Sequence, residues 1–212
     1  MFSTLFKNKI SLKFGFVLFR IKGELNKINS EIRMRYCKIN VIGDGNSIEV
    51  KGNGKIKNMK VVCHGDNNKI TIVAPRDINT LELIVKDNNS SIFIDKGCGI
   101  GSAKLVSCGG ASIIIGKDCM FADRVTIWAC DTHSILDKYD GYRVNKAEDV
   151  TIGEHVWLAE GVCVLKASRV GDNTVVGAYS VVPGGVYQNN SIIAGNPARE
   201  VKSNINWCIE RL

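Results

Sequence analysis

The chain has 212 residues, of which 45% are apolar and 7% aromatic, and its formal net charge is +7. This length and apolar content suffice for one domain with a sizeable core, and they argue against a disordered chain. The charge is uneven, because residues 1–40 contain nine Lys/Arg and two Asp/Glu, which leaves the rest of the chain close to neutral.

Residues 1–38 form a basic, amphipathic N-terminal segment. Its apolar side chains follow helical spacing at Ile10, Phe14, Val17, Leu18, Ile21, Leu25 and Ile28. We expect a helix or coiled segment that covers the open end of the following domain. An interfacial basic helix that holds residues 1–30 on anionic lipid is the alternative. The apolar run 14–19 is too short to span a bilayer, and no small-residue cleavage site follows it.

From residue 39 onwards the chain first repeats with a period of 22 residues. The aliphatic positions in step are Ile48, Ile70, Ile92 and Ile114, together with Val50, Ile72 and Ile94. The polar positions in step are Asp44, Asp66 and Asn88, together with Asn46, Asn68 and Ser90. Self-similarity at this length predicts a solenoid with one coil per repeat, in which the Asn and Asp residues form the turns.

The last third repeats with a period of six. The aliphatic positions are Ile152, Leu158, Val164, Val170, Val176 and Val182, and the same step joins Ile115, Phe121 and Ile127. Neither a helix nor a single strand gives this period, whereas hexapeptide repeats are typical of parallel β-helices. We predict an all-β fold, a continuous parallel β-helix over residues 39–202 with a tail at 203–212.

The residues between these two six-residue registers predict a protruding loop. Ile127 and Ile152 are one residue further apart than four steps of six, and residues 132–149 are polar and charged. Solenoids place such insertions on one face, which is often the binding face.

The chain has eight cysteines and no C-x-x-C pair. We expect them to be small buried residues of a reduced, cytosolic protein.

Four segments carry a resemblance to a known family. They are Trp128–His133 (W-A-C-D-T-H), Val150–Ala159, Val176–Val182 and Ala194–Arg199 (A-G-N-P-A-R). Over roughly residues 113–202 the chain resembles the hexapeptide-repeat, left-handed β-helix acyltransferases, in the sugar O-acetyltransferase branch. The motifs do not cover the N-terminal portion, whose nearest likeness is to bacterial polysialic acid O-acetyltransferases, which also extend the coil and append an N-terminal segment.

The resemblance implies a left-handed coil and direct acetyl transfer from acetyl-CoA to a hydroxyl of a capsular or lipopolysaccharide sugar, including sialic acid. It also implies a homotrimer with active sites between subunits, and neither a metal nor a nucleic-acid partner is expected. Since acetyl-CoA is a cytosolic donor, we expect a cytoplasmic protein, peripheral at the inner membrane if the basic segment binds lipid.

A hydroxyl acceptor needs a base, and a neutral imidazole is suited to that role near neutral pH. Of the three histidines, His133 lies at the coil-to-loop junction and matches the catalytic histidine of the family. Asp131 or a backbone carbonyl is expected to orient its ring. At least one of Trp157 and Trp128 is expected to point outwards, where its ring would stack on a sugar or cover the thioester, and Trp157 is the stronger candidate for a site role. Cys130 is a less favoured nucleophile, because a coil cysteine more often serves packing.

The remaining candidates are contacts to coenzyme A and to the acceptor. By resemblance, the coenzyme A contacts are Ala159, Glu160, Lys166, Ala178, Ser180, Pro183, Arg199 and Lys202. Small side chains at 159 and 178 let a ligand approach the backbone, and Arg199 and Lys202 match positions that meet phosphates. Pro183 stands where relatives commonly carry Thr-Lys, so one phosphate-binding lysine is missing. The acceptor candidates are Trp128, Tyr142 and Arg143.

Three other functions remain as alternatives. A γ-class carbonic anhydrase needs three histidine ligands, two of them close in sequence, whereas His133 and His155 are 22 residues apart. A scaffold would need neither the histidine loop nor the G-N-P-A-R ending. An antibiotic or nucleotide-sugar acetyltransferase shares the coil and the histidine and stays open.

Overall fold

A computed structural model describes residues 8–13 and 15–212. In these ranges the secondary structure is all β, so no helix there is long and apolar enough to cross a membrane. The strands are β1 (Lys9–Leu12), β2 (Val17–Lys22), β3 (Lys27–Ser30), β4 (Met34–Arg35), β5 (Cys37–Ile42), β6 (Ser47–Lys51), β7 (Ile56–Lys57), β8 (Met59–His64), β9 (Lys69–Val73), β10 (Asp77–Lys86), β11 (Ser91–Ile94), β12 (Gly99–Ser107), β13 (Ser112–Ile115), β14 (Met120–Phe121), β15 (Val125–Trp128), β16 (Val150–Ile152), β17 (Trp157–Leu158), β18 (Cys163–Val164), β19 (Ser168–Val170), β20 (Val175–Val176), β21 (Val181–Val182), β22 (Gly185–Tyr187), β23 (Ile192–Gly195) and β24 (Ala198–Lys202).

The strands stack into the three faces of a left-handed parallel β-helix. Face 1 has the order β1-β3-β6-β9-β11-β13-β16-β19-β22. Face 2 contains β4, β7, the first parts of β10 and β12, β14, β17, β20 and β23. Face 3 contains β2, β5, β8, the second parts of β10 and β12, β15, β18 and β21. Alternate side chains point into the shared core and out to the surface.

The 22-residue register is confirmed for its first steps and corrected at the last. Ile48 pairs with Ile70, and Ile70 with Ile92, and all three are buried. The next partner of Ile92 is Ile113, whereas Ile114 lies on the outer surface with 42% exposure. The shift arises at Gly109 and Gly110, which both adopt positive φ and close this turn with one residue fewer.

The polar positions form stacked turns, as predicted. The N–H of Asp44 donates to the carboxylate of Asp66 at 2.9 Å, and the N–H of Asp66 donates to the amide oxygen of Asn88 at 2.8 Å. Inside the coil, the buried Asn68 donates its N–H to Asn46 and accepts the N–H of Ser90, both at 2.9 Å. The bonds of Asn68 satisfy turn groups that would otherwise be buried without partners.

The six-residue register is confirmed along its whole length. Its aliphatic positions are all at most 2% exposed, and they stack in three columns, one per face. The columns are Ile115-Ile152-Val170, Phe121-Leu158-Val176 and Ile127-Val164-Val182. The predicted loop is also confirmed, because β15 ends at Trp128 and β16 begins at Val150.

The predicted N-terminal helix is wrong. β1 pairs with β3, β2 pairs with β5, and β3 pairs with β6, so the solenoid begins near Lys9 rather than at residue 39. The apolar positions Val17, Phe19 and Ile21 also alternate with polar or exposed ones, which suits a strand once a coil lies beneath them. Phe19 is in register with the buried Ile39 but is itself 53% exposed at the end of the described stack. The apolar position at residue 14 lies outside the described residues.

One cysteine pair corrects the expectation of free thiols throughout. Cys108 and Cys130 form a disulfide between successive coils, with Cα atoms 5.8 Å apart. The 22-residue register places one above the other on the outer side of face 3, within the range of disulfide geometry. Four free cysteines are buried as expected, namely Cys37, Cys63, Cys98 and Cys119, whereas Cys163 is half-buried and Cys208 is exposed.

Candidate active site

The insertion loop leaves the solenoid at the corner between face 3 and face 1. β15 ends face 3 at Trp128, and β16 resumes face 1 at Val150. His133 lies in the first part of this loop and is exposed. Among the described residues its ring has no hydrogen-bond partner, so both ring nitrogens are open to a ligand.

A buried amide fixes the backbone around His133. The side-chain nitrogen of Asn145 donates to the carbonyl of His133 at 2.8 Å and to the carboxylate of Asp131 at 2.9 Å. Its oxygen accepts the N–H of Ile135 at 2.7 Å and the Nε–H of Arg143 at 3.2 Å. Asn145 is only 8% exposed and thus joins both ends of the loop. Sequence reasoning missed it, because a single Asn in a polar loop has no periodicity that marks it.

Asp131 is bound to a lysine rather than to the histidine ring. Lys166 donates to its carboxylate at 2.7 Å and to the carbonyl of Lys146 at 2.8 Å. The hydrogen bond from Lys166, and then that from Asn145, lowers the pKa of Asp131. Its connection to His133 runs through Asn145, and Lys166, a candidate coenzyme A contact, is part of this cluster.

Two depressions adjoin the loop. One, of about 630 Å³, is lined by Lys86, Lys104, Trp128, Asp131 and Arg143 among others. The other, of about 410 Å³, is lined by residues that include Trp128, Asp131, His133, Asn145 and Cys163. Trp128 is therefore shared, and Lys104 lies over its ring with Nζ 5.4 Å from the centroid. Of the three acceptor candidates, the structure brings Trp128 and Arg143 together; Tyr142 is 75% exposed and lines neither depression.

Several coenzyme A candidates lie instead at the corner between faces 2 and 3. Ala159 follows β17 and Ala178 follows β20, so both side chains lie at successive turns of this edge. The carboxylate of Glu160 is held by Arg124 and Tyr179. The backbone N–H groups of Glu160 and Ala178 have no acceptor among the described residues. This edge therefore combines small side chains with free donors.

Ser180, Pro183, Arg199 and Lys202 have separate surroundings. The buried Ser180 hydroxyl accepts the N–H of Gly195 at 3.0 Å and fixes the β23–β24 hairpin. In that antiparallel hairpin Arg199 lies opposite Ala194, and the exposed Lys202 lies opposite Ile192. The Pro183 carbonyl accepts the Tyr187 hydroxyl at 2.9 Å, in the same corner as Lys166.

Trp157 points outwards, as predicted, but lies on face 2. Its ring centroid is 5.9 Å from that of Trp207, which stacks on His155 at 4.2 Å. The Trp207 indole N–H donates to the carbonyl of His155 at 2.7 Å, so the tail folds back onto this face. A single chain thus separates Trp157 and Ala178 from His133 by the width of face 3. In the part of the chain that the structure describes, no three His, Cys, Asp or Glu residues are grouped to hold a metal ion.

Sequence reasoning also missed Arg124, Tyr179 and Trp207. Arg124 and Tyr179 stand at the corner beside Glu160, where side chains follow no hydrophobic period. Trp207 lies beyond the last repeat, and only its aromatic character in a short tail marks it.

Comparison with known proteins gives a consistent set of relatives. The family described as "Bacterial transferase hexapeptide (six repeats)" matches residues 149–184. The polysialic acid O-acetyltransferase of Neisseria meningitidis is 34% identical over 108 residues, which are 51% of this chain and 50% of that protein. The enzyme of the same name from Escherichia coli O1:K1 / APEC is 32% identical over 118 residues, 56% of this chain and 38% of that protein. This chain therefore spans half or less of the length of these curated relatives.

A solved structure extends the likeness to almost the whole chain. The crystal structure of the polysialic acid O-acetyltransferase OatWY has a TM-score of 0.79 and 31% identity, and the match covers 92% of this chain and 93% of that one. The chain therefore belongs to the bacterial hexapeptide-repeat transferase family of left-handed β-helix acyltransferases.

Proposed function

We propose that the protein transfers an acetyl group from acetyl-CoA to a hydroxyl of an acidic bacterial surface polysaccharide, with polysialic acid as the first acceptor to test. The observation that carries the proposal is the exposed, unpaired ring of His133, held at the mouth of a depression by Asn145. The likeness to OatWY over 92% of the chain supports the acceptor class.

His133 would act as the general base. Its ring accepts the proton of the sugar hydroxyl while that oxygen bonds to the acetyl carbonyl carbon and the carbon–sulfur bond of the thioester breaks. The proton then passes from His133 to the departing sulfur, so that atoms and charge balance. A positioned base of this kind is typically worth about 10²–10⁴ in rate.

The edge between faces 2 and 3 fits the pantetheine arm of acetyl-CoA. The free N–H groups of Glu160 and Ala178 would bind its amide carbonyls, and the small side chain of Ala178 would let it approach. Arg199 and Lys202, exposed on the hairpin, would neutralise the nucleotide phosphates. Bound acetyl-CoA would supply the acetyl group as an activated thioester.

A homotrimer would bring the two halves of the site together. Within one chain His133 and Ala178 lie at different corners of the solenoid, separated by face 3. Packing three chains around an axis would set the His133 corner of one against the Ala178 edge of the next. Because acetyl-CoA is a cytosolic metabolite, we place the reaction in the cytoplasm.

The test is a thiol-release assay with acetyl-CoA and a panel of acceptors: polysialic acid, a galactoside and chloramphenicol. We expect release that depends on polysialic acid in the wild type and falls at least about 100-fold in His133→Ala. Ser134→Ala, an exposed neighbour in the same loop, is the matched control and should keep full activity. Undiminished release without His133 would rule out the base, and release with chloramphenicol alone would transfer the assignment to an antibiotic acetyltransferase.

A further inference from the structure

The outer surface of face 3 carries three columns of side chains that run from the N-terminal coils to the loop. Strand register places Lys38, Lys60, Glu82 and Lys104 in the first column. The second column contains Arg20, Asn40, Val62, Ile84, Val106 and Trp128. The third contains Lys22, Ile42, His64 and Lys86. We call this surface, from β2 to β15, the basic track.

The charge of the basic track is strongly one-sided. It carries six cations, namely Arg20, Lys22, Lys38, Lys60, Lys86 and Lys104, and one carboxylate, that of Glu82. Glu82 accepts a 2.6 Å bond from Lys60 and lies 3.6 Å from Lys104. The other four cations form no ion pair among the described residues.

Such an arrangement costs stability in the free protein. Lys38 and Lys60 lie directly opposite each other on neighbouring strands. Like charges in this position repel, and nothing in the fold requires lysine at an exposed site. An anionic ligand lying along the strands would remove the repulsion, because it would place negative charge between the columns.

The middle column provides an apolar floor between the cations. Val62 and Ile84 are half-buried, Val106 is buried, and Trp128 ends the row at the active-site loop. Two depressions open along this floor. The one of about 630 Å³ beside the loop is lined by Ile84, Lys86, Lys104 and Trp128, together with two carboxylates, Asp87 and Asp131, and two further cations, Arg143 and Lys146. The second, of about 320 Å³, is lined by Arg20, Lys38, Lys60 and Val62 at the N-terminal end.

We propose that the basic track binds an acidic polysaccharide chain that extends across several coils and feeds one of its residues to His133. The track crosses five coil-to-coil steps, and strands lie ~4.8 Å apart, so it spans roughly 24 Å and exceeds a monosaccharide. Cations bind the acidic groups, and the apolar floor contacts the sugar rings. This inference rests on the proposed function and adds to it the surface, distant from His133, that binds the polymer beyond its reacting residue.

The test separates the track from the catalytic site. In the double variant Arg20→Gln/Lys38→Gln both changes lie at least four coils from Trp128, at exposed side chains. Binding of unacetylated, fluorescently labelled polysialic acid is measured by anisotropy, and acetyl transfer is measured with long chains and with sialic acid trimers. We expect binding of long chains to weaken roughly tenfold and KM for long chains to rise by a similar factor. KM for trimers and kcat should stay as in the wild type.

The matched control is Lys57→Gln/Lys69→Gln, which removes the same charge from exposed positions on faces 2 and 1. It should bind long chains as the wild type does. Equal binding by the track variant and the wild type would overturn the inference while leaving acetyl transfer intact. A change of oligomeric state in the track variant, measured by light scattering, would overturn it in favour of a subunit interface. If the wild type binds the polymer but transfers acetyl to no acceptor, the proposed function is contradicted, whereas the assignment of the basic track as a polymer-binding surface is supported.

Discussion

His133 lies on an exposed loop, and its place depends on one amide, that of Asn145. The sequence singled out His133 as the candidate base, because it is one of only three histidines, stands at a break in the six-residue register and matches the catalytic histidine that the family resemblance implies. The amide could not be predicted, since its role arises from two loop ends meeting in space. The proposed base could thus be found from the sequence alone, whereas the residue that positions it in the structure could not.

The first prediction concerns Asn145→Ala. The change removes hydrogen bonds to the His133 carbonyl and to the Ile135 N–H at 2.8 and 2.7 Å. A displacement of about 1 Å in a catalytic group can cost ~10²-fold in rate, so kcat should fall by about that factor. KM for acetyl-CoA should change little, because its proposed edge lies at another corner. Steady-state kinetics measure both, and an unchanged kcat would show that the loop holds its shape without this amide.

A second prediction uses the buried carboxylate of Glu49. Hydrogen bonds from Lys27 and Lys51, both at 2.6 Å, lower the pKa of Glu49 to about 2. Because this pKa lies below that of the unfolded chain, the carboxylate stabilises the fold above pH ~4.5, and the stabilisation is lost as the pH falls towards 2. Glu49→Gln should therefore cost about 1 kcal/mol at pH 7, since the lysines are half-exposed, and progressively less at acid pH. Urea unfolding at pH 7 and pH 3 measures this, and an equal loss at both would contradict it.

At the scale of elements, the hydrophobic repeat predicts how the strands stack, but it does not predict the secondary structure of the first coil. The six-residue register succeeded because each aliphatic position fills the same core site in every coil. The 22-residue register failed by one residue at Ile114, where Gly109 and Gly110 shorten a turn. The N-terminal helix failed because Val17 and Ile21 satisfy helical and strand spacing alike, and only the coil beneath decides between them.

A third prediction tests the link between two such coils. The Cys108–Cys130 disulfide closes a separation of 22 residues, and a loop of that length is worth about 3 kcal/mol in the chain-entropy account. We expect dithiothreitol to lower the unfolding free energy of the wild type by about that amount. Cys108→Ser/Cys130→Ser should be insensitive to the reductant, and Cys208→Ser should behave as the wild type. A reductant effect in the double variant, or none in the wild type, would show that the bond is absent in solution.

At the scale of the molecule, the solenoid separates the two proposed half-sites. A three-faced coil holds its residues at fixed corners, so the loop with His133 and the edge with Ala178 cannot approach each other within one chain. Sequence reasoning placed these residues in one site only through the family resemblance, which implies a homotrimer with active sites between subunits. The spacing of residues along one chain carries no information about which residues a neighbouring subunit brings to the site.

The fourth prediction is that two inactive variants restore each other. His133→Ala removes the base, and Ala178→Trp fills the proposed coenzyme A edge, so each homotrimer should be inactive. Every mixed trimer contains one junction with an intact His133 facing an intact Ala178, which is one site in three. Since roughly three quarters of randomly mixed trimers are hybrids, an equimolar mixture refolded together should recover about a quarter of wild-type activity. Mixing His133→Ala with His133→Asn should recover nothing. If native mass spectrometry shows hybrid trimers and activity stays absent, the complete site lies within one chain, because only a shared site can be rebuilt from two different defects.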